Sequence, residues 1–340
     1  MSDDIAPGGW LVTAALAALI SVALIVVLRP WLQRYALARP NARSSHREPT
    51  PQGAGIAVIA ATIVAASAVV YFSATGGAMV TPLLGIFAGA VLMAAVGAVD
   101  DVRPIAVAPR LLLQALIVAG VIYSLPDHLR VFAVLPLGLE RCLLMLAGLW
   151  FVNLVNFMDG VDWMTVAEVV PVTASLVVLG QTNALPAYGT LVAAALGGAI
   201  LGFAYFNRPT ASVFLGDVGS LPIGLLLGWL LLLVATTGHL TAAIVLPLYY
   251  LADATITLLR RLVRGEPVWQ AHRAHFYQQA TDRGFSVIRV VAWVFVVNVA
   301  LAVLAILTVI IPGKLIVAAA LFGGTIIVAG LLFAFSWGRK

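Results

Sequence analysis

Residues 80–101 read VTPLLGIFAGAVLMAAVGAVDD, an apolar run from Val80 to Val99 that is closed by the adjacent carboxylates of Asp100 and Asp101. A helix of about 20 such residues crosses the roughly 30 Å of hydrocarbon in a bilayer. Two adjacent carboxylates repel each other and are costly near hydrocarbon, so a cation or a reaction is expected to keep them there. The stretch predicts a membrane-spanning helix with functional acids at its end.

The composition extends this prediction to the whole chain. Of its 340 residues, 62% are hydrophobic and 10% are charged, whereas soluble domains carry about 25% charged residues. The net charge of +5 comes from arginines in short loops between apolar runs, which favours a lipid bilayer over nucleic acid as the partner. A single cysteine, Cys142, excludes an internal disulfide framework. We expect an all-α, polytopic integral membrane protein that forms one domain, residues 1–340.

Eleven apolar runs are long enough to be candidate spans. They lie at about 10–29, 54–74, 79–99, 110–125, 130–152, 165–181, 186–206, 212–236, 239–259, 287–311 and 314–336. Since eleven is odd, the two termini are expected on opposite sides of the membrane.

The basic residues orient this bundle. One set of loops holds 16 of the 19 Lys and Arg residues, and only Arg130, Arg141 and Lys314 are left for the other side. The rich side is predicted to be cytoplasmic, with the amino terminus outside and the carboxyl terminus inside. The polar motifs fall on that same side, in loops at about 30–53, 100–110, 153–164, 207–220 and 260–286.

The Asp100-Asp101 pair is followed by Arg103 and Arg110. Two carboxylates beside guanidinium groups suit a phosphate and a hard divalent cation, because magnesium takes oxygen ligands and shares them with substrate phosphates. The alternative is a hydrated helix end whose acids pair with nearby arginines.

A second polar cluster contains Asn153, Asn156, Asp159 and Asp162, which recur every three positions at the end of an apolar span. On a helix this spacing makes a narrow polar stripe that offers oxygens to a metal or a sugar. Gly160 lets the chain turn or lets a ligand approach the backbone. The alternative, in which these residues cap the helix and form a turn, explains one or two of the four.

The third cluster is Phe214-Leu-Gly216-Asp217-Val-Gly219-Ser220, just before another apolar run. An acid between two glycines is typical of a close approach at a helix start, where anions such as phosphate are also favoured. The alternative is a plain N-cap formed by Asp217 or Ser220.

The fourth cluster is His272-Arg273-Ala-His275, in the longest predicted cytoplasmic loop. Two histidines and an arginine are suited to binding a diphosphate or moving a proton near neutral pH. The alternative is a basic loop attracted to anionic lipids.

The fifth cluster is a Pro- and Gly-rich turn between Asn41 and Gly55, in which His46, Arg47 and Thr50 offer groups for an anion. A basic turn set only by membrane orientation is the equal alternative. Asp253, near the end of the ninth span, is expected to pair with an arginine at 260 or 261.

Taken together, the five segments resemble the polyprenyl-phosphate N-acetylhexosamine-1-phosphate transferase family (glycosyltransferase family 4), the bacterial group that loads the first phospho-sugar onto undecaprenyl phosphate. The motifs that carry the resemblance span residues 44 to 279 and agree in order and spacing. They are Ser-Ser-His46-Arg-Glu-Pro-Thr50-Pro, Asp100-Asp101, Asn153-x-x-Asn156-x-x-Asp159-Gly-x-Asp162, Phe214-x-Gly-Asp217-x-Gly-Ser220 and His272-Arg-x-His275.

The resemblance implies a reaction in which undecaprenyl phosphate attacks the β-phosphorus of a UDP-N-acetyl-hexosamine and UMP leaves. It implies magnesium as the cofactor, with manganese as the alternative, and Asn156 and Asp217 as its ligands. The implied catalytic residues are Asp100, Asp101, Asp159, His272 and His275. The implied substrate-binding residues are His46, Arg47, Thr50, Arg110, Asn153, Asp162, Ser220 and Arg273. Whether Asp100 acts as a base or a nucleophile stays open.

Two positions depart from the family pattern. Trp163 stands where many relatives have the last glycine of Asp-Gly-x-Asp-Gly, and Phe276-Tyr277-Gln278 stands where many have a further histidine. Both departures resemble the branch that initiates O-antigen or other surface polysaccharides, and they argue against the peptidoglycan-precursor branch. The implied location is the bacterial inner membrane, with several spans and a cytoplasmic active site. The oligomeric state is open, with a homodimer as one alternative.

Two other classes compete with a transferase. A transporter or divalent-cation carrier would place polar groups near the bilayer midplane, often in broken helices, and it would move its solute without a UDP-sugar. A scaffold for an assembly complex would tolerate replacement of the acids.

Overall fold

The computed structural model describes residues 8–38, 49–73, 76–268 and 272–337. Thirteen helices occupy most of these residues. They are α1 (Gly9–Tyr35), α2 (Gly55–Phe72), α3 (Gly76–Val102), α4 (Val107–Tyr123), α5 (Leu137–Met158), α6 (Met164–Gln181), α7 (Ala187–Ala204), α8 (Asp217–Thr236), α9 (Leu240–Val245), α10 (Leu248–Val263), α11 (Phe276–Asp282), α12 (Val287–Ile310) and α13 (Lys314–Ser336). Two short strands, β1 (Leu37–Ala38) and β2 (Thr50–Pro51), pair antiparallel.

The prediction of an all-α, multi-pass membrane protein is confirmed. Nine helices in the described part of the chain are long and apolar enough to cross a membrane, namely α1, α2, α3, α5, α6, α7, α8, α12 and α13. The shorter α4 is also apolar. The predicted ninth span is divided into α9 and α10, with Pro247 at the start of α10. The number of crossings and the sides of the two termini remain predictions.

The fifth span differs most from its predicted bounds of 130–152, since α5 runs from Leu137 to Met158. The apolar residues before it form a loop instead of a first helical turn. The carboxylate of Glu140 accepts hydrogen bonds from the backbone N–H groups of Val131 (2.7 Å) and Phe132 (2.9 Å) and fixes that loop. As a result Asn153 and Asn156 lie within α5, in its last two turns.

Helix α8 is the centre of the bundle. Within its most apolar window 94% of the residues are buried, against 22% for α1 and 28% for α13. It packs against α2, α3, α5 and α9. A helix that is hydrophobic on all sides belongs in the interior, and this is why the residues at its amino end can be reached from several neighbouring helices.

Glycines bring two helices close to the amino end of α8. A Cβ on Gly55 of α2 would lie 2.2 Å from the Cα of Gly219, and a Cβ on Gly97 of α3 would lie 2.2 Å from the backbone oxygen of Asp217. Side chains cannot be accommodated at such distances. Small residues that allow backbones to approach are typical of helix contacts in membranes.

The chain leading into α2 is joined to the chain leading into α8. The carbonyl of Phe214 accepts hydrogen bonds from the N–H groups of Gly53 and Ala54, and the N–H of Phe214 donates to the carbonyl of Pro51 at 2.7 Å. These bonds fix the loop that carries Gly216 before α8 begins.

We predict that Gly97→Ala destabilises the protein by about 1–3 kcal/mol, the usual cost of overpacking, because the added methyl group meets the backbone at Asp217. The thermal unfolding midpoint of the purified protein in detergent measures this. The matched control is Gly120→Ala in α4, where an added Cβ meets nothing within 4 Å. Equal midpoints for the two variants would contradict the close approach of α3 and α8.

Candidate active site

The ends of α3, α4, α5 and α8 meet and form a charged cluster of Asp100, Arg110, Asn156 and Asp217. The guanidinium of Arg110 donates to Asp100 Oδ2 at 2.5 Å and lies 3.7 Å from Asp217 Oδ2. The amide of Asn156 donates to Asp217 Oδ1 at 2.9 Å. Four residues that are up to 117 positions apart thus share one site.

Asp101 points away from Arg110 and caps α8. Its carboxylate accepts the backbone N–H groups of Asp217 (3.0 Å) and Val218 (3.1 Å). The preceding Gly216 has φ 77°, and a Cβ there would lie 2.5 Å from Asp101 Oδ2. The sequence suggested a cap from Asp217 or Ser220 and an external anion at this helix start. In the structure the group that binds this helix start is the carboxylate of Asp101, which belongs to α3.

Ser220 lies one turn into α8 and is the second residue that the amide of Asn156 contacts. Its hydroxyl accepts a second hydrogen bond from Asn156 Nδ2, at 2.9 Å. The side chain of Asp217 is 28% exposed, so a small ligand can reach its oxygens.

The donor set of this cluster fits a hard divalent cation. Within the described residues no three His, Cys, Asp or Glu side chains come together as a metal cage. Two carboxylates and an amide suit a cation such as Mg²⁺, which takes its other ligands from water and substrate phosphate. In the structure the amide nitrogen of Asn156 faces Asp217. A rotation of this amide about its terminal torsion would exchange its hydrogen bonds to Asp217 and Ser220 for contact of its oxygen with a cation bound at Asp217.

Asp159 lies just after α5, at its C-cap. It accepts a hydrogen bond from the hydroxyl of Thr165. Burial, together with the nearby carboxylates of Asp101 and Asp162, raises the pKa of Asp159 to about 6, although the hydrogen bond from Thr165 opposes the shift. Near neutral pH its carboxyl group is therefore mostly ionised but close to its titration range.

Asn153 and Asp162 do not join the cluster. Asn153 donates to Gln114 Oε1 of α4 at 2.8 Å and to the carbonyl of Leu149. Asp162 is buried and accepts the N–H of Ala211 at 3.0 Å, so it holds the loop before α8. Their expected substrate contacts stay predictions, while their contacts in the structure connect neighbouring elements.

The histidine segment lies against the end of α5 and against α10. The hydroxyl of Tyr277 donates to the carbonyl of Phe157 at 3.0 Å. The ring of His275 is buried, with its centroid 4.9 Å from that of His272. Arg273 forms an ion pair with Asp282 at 2.9 Å.

Asp253 is the main residue whose partner was misjudged from sequence. Its carboxylate contacts His275 Nδ1 at 3.2 Å, whereas Arg261, one of the expected partners, donates to Glu266 at 2.9 Å. The contact joins residues 22 positions apart, which no local pattern reveals. Gln52 was also overlooked, and its amide donates to the backbone carbonyl of Asp101 at 3.2 Å.

Trp163 has φ 63°, in the left-handed region where glycine is favoured. This explains why a glycine suits the position in the resembling motif. Here the indole N–H donates to the carbonyl of Ala204 at 2.7 Å, and the backbone N–H donates to Asn207 at 2.8 Å. These contacts join the start of α6 to the end of α7.

The fifth predicted cluster contributed three candidate binding residues, namely His46, Arg47 and Thr50. Thr50 is buried in β2. His46 and Arg47 lie outside the described residues, and their binding roles stay predictions.

A multi-pass helical bundle with acids, an amide and an arginine gathered at one end has the make-up of a membrane-embedded enzyme. Comparison with known proteins specifies the class. The sequence model of the family described as glycosyl transferase family 4 matches residues 83–235, a range that contains all four residues of the charged cluster and all of α8 except its last residue.

Three relatives are similar to this chain over different lengths. A probable undecaprenyl-phosphate N-acetylglucosaminyl 1-phosphate transferase of Bacillus subtilis (strain 168) is 25% identical over 293 residues, which cover 81% of this chain and 79% of that protein. A phospho-N-acetylmuramoyl-pentapeptide-transferase of Streptococcus gordonii is 28% identical over 75% of this chain and 86% of its own. A protein of the same name from Gluconacetobacter diazotrophicus is 40% identical over 112 residues, 28% of this chain and 30% of its own.

The chain is similar to proteins of glycosyl transferase family 4, and it is a membrane-bound glycosyltransferase enzyme of the phosphotransferase type. The resemblance inferred from the five motifs is thereby confirmed. The alternative of a transporter or cation carrier receives no support from these matches.

We predict that Asp101→Ala lowers the thermal unfolding midpoint, because the N–H groups of Asp217 and Val218 lose their acceptor. Loss of a capping side chain costs about 0.5–2 kcal/mol. Unfolding of the purified variant in detergent is the measurement. Asp127→Ala, which removes an acid whose side chain is 84% exposed, is the control. If both variants melt with the wild type, the capping role is wrong.

Proposed function

We propose that this enzyme transfers HexNAc-1-phosphate from a UDP-N-acetyl-hexosamine to undecaprenyl phosphate. A phosphate oxygen of the lipid forms a bond to the β-phosphorus, the bond between that phosphorus and the oxygen bridging to the α-phosphate breaks, and UMP leaves. The product is a lipid-linked diphosphate sugar that initiates O-antigen or another surface polysaccharide. The name of the Bacillus subtilis relative describes a transfer of this type.

The observation that carries the proposal is the charged cluster at the ends of α3, α4, α5 and α8. Phosphoryl transfer depends on positioning and on neutralising charge on the phosphoryl oxygens. Asp100 and Asp217 supply negative charge for a cation, and Arg110 supplies a positive group between them. Such an arrangement suits two phosphate-bearing substrates meeting at one point.

Arg110 is the residue best placed to hold a phosphate. One of its terminal nitrogens contacts Asp100, while its buried Nε has no hydrogen-bond partner among the described residues. A buried donor is expected to find an acceptor, and a phosphate oxygen would satisfy it. Both oxygens of Asp100 already accept hydrogen bonds, from Arg110 and from the N–H of Ile105 at 2.6 Å. This favours orientation of Arg110 over nucleophilic attack by Asp100.

Asp217 and Asn156 are the proposed holders of Mg²⁺, with Mn²⁺ as the alternative. When bound there, the ion would neutralise the charge of the diphosphate and polarise its phosphorus–oxygen bonds. The side chain of Asp217 is oriented by the chain itself, since Asn156 contacts its Oδ1 and Arg110 lies near its Oδ2.

An apolar cavity beside this cluster is the proposed binding site of the lipid tail. A cavity of about 250 Å³ is lined by α4, α5, α8, α9 and α10. Val152 and Gly224 in its wall lie one turn from Asn156 and Ser220, respectively. An acceptor with a charged head and an apolar chain would place its phosphate in the cluster and the isoprene units nearest to that phosphate in this cavity.

Placement in the cell follows from the substrates and the charge of the loops. A UDP-sugar is water-soluble and made inside the cell, so the cluster is proposed to face the cytoplasm of the bacterial inner membrane, the side given by the positive-inside rule. Trp163 and Phe276-Tyr277-Gln278 support the surface-polysaccharide branch over the pentapeptide branch.

A panel of UDP-sugars tests the activity. Purified enzyme in detergent with undecaprenyl phosphate and Mg²⁺ is expected to release UMP from at least one UDP-N-acetyl-hexosamine and to yield a lipid with the mass of the diphosphate sugar. No release should occur without the lipid or after chelation. Release of UDP in place of UMP would contradict transfer of a phospho-sugar.

We predict that Asp217→Asn lowers turnover at least about 100-fold, the scale on which a lost electrostatic contact acts in a transition state, while the protein still folds. The control is Glu168→Gln, which replaces a buried acid of α6 that accepts a hydrogen bond from Asn298 and lies outside the cluster. UMP release and the thermal midpoint are measured for both. Full activity of Asp217→Asn would contradict the assignment of Asp217 as a ligand of the metal ion.

A further inference from the structure

Asp253 of α10 is fully buried and is surrounded by donors. Its Oδ1 contacts His275 Nδ1 at 3.2 Å and accepts the N–H of Phe276 at 3.0 Å and the hydroxyl of Thr257 at 3.3 Å. Its Oδ2 accepts the hydroxyl of Tyr249 and the N–H of Tyr277, both at 3.2 Å. Five contacts fill the acceptor capacity of a carboxylate, which has about four lone-pair directions.

These contacts fix the histidine segment in place. Asp253 holds the imidazole of His275 and the next two backbone N–H groups. The same segment also contacts the last turn of α5, where the hydroxyl of Tyr277 donates to the carbonyl of Phe157. Asp253 thus holds the ring of His275 and the backbone of this segment, while the side chain of Tyr277 joins the segment to α5.

The contact also selects which nitrogen of His275 carries a proton. A carboxylate can only accept, so Nδ1 must be the protonated nitrogen in the neutral ring, and Nε2 is left as the second hydrogen-bonding atom. The ring of His275 lies 6.3 Å from that of Phe157 and 4.9 Å from that of His272, measured between centroids. The ring therefore lies beside Phe157, the residue that follows Asn156 in α5.

We propose that Asp253 is a positioning residue that holds His275 as its Nδ1–H tautomer and aims Nε2 at the diphosphate of the substrate. Asp253 touches no reacting atom. It acts through His275, in the way that a buried carboxylate orients a general acid or base. The inference rests on the proposed function for the identity of the diphosphate, whereas the tautomer can be measured without substrate.

Protein labelled with ¹⁵N-histidine tests the tautomer. The chain has five histidines, and the His275→Ala variant identifies the signal of His275. The wild type is expected to show His275 with Nδ1 protonated, and Asp253→Asn is expected to shift it toward the Nε2–H form. A wild-type spectrum with His275 in the Nε2–H form would overturn the proposal, even if Asp253→Asn does not fold.

Kinetics provide the second test. Asp253→Asn is expected to lower kcat about 100-fold, within the range for a displaced acid–base group, with KM for the UDP-sugar changed less than about threefold. In the His275→Ala background the same change should have no further effect, since Asp253 acts only through that ring. A further loss of about 100-fold in that background would overturn the proposal.

Tyr249→Phe is the matched control, because it removes another hydrogen bond to the same carboxylate without touching His275. It should keep kcat within about threefold of the wild type. If Tyr249→Phe and Asp253→Asn lower kcat equally, Asp253 is a structural residue and the proposal fails. An inactive wild type with the expected tautomer would instead contradict the proposed function and leave the positioning role intact.

Discussion

The start of α8 is the constraint on which the rest of the site depends. Its first backbone N–H groups are accepted by Asp101 of α3. Its first turn is also approached at backbone distance by Gly55 and Gly97. A helix end buried without such partners would be costly. Capping from a neighbouring helix therefore sets the relation of α3 to α8, and that relation places Asp100 beside Asp217.

The two adjacent acids consequently have different roles. Asp101 faces the backbone of α8, whereas Asp100 faces Arg110. Neighbouring residues in a helix point about 100° apart, so a single pair can serve two directions. The costly juxtaposition of two carboxylates is thereby resolved, since one is neutralised by helix N–H groups and the other by a guanidinium group. The proposed metal ion would add positive charge, and the substrate phosphates negative charge, at the cluster that contains Asp100 and Arg110.

The sequence predicted the membrane class and most of the spans, though not the bounds of the fifth, because the length and hydrophobicity of a helix in lipid are local properties. It also grouped Asp100, Arg110, Asn156 and Asp217 correctly at one end of the bundle. It could not predict that Asp101 caps a helix 116 residues away, or that Asp253 contacts His275. Such pairings depend on packing between distant helices. The division of the ninth span at Pro247 was not predicted either, because it depends on the neighbours that satisfy the freed backbone groups.

The central claim is that a phosphorus atom, and not the sugar alone, passes to the lipid at the charged cluster. Labelling the β-phosphorus of the UDP-sugar with ³²P and partitioning the products between water and organic solvent tests this most directly. The account predicts that the label enters the organic phase with one UMP released per labelled lipid. Label that stays in the aqueous phase as UDP, while the sugar moves to the lipid, would contradict it.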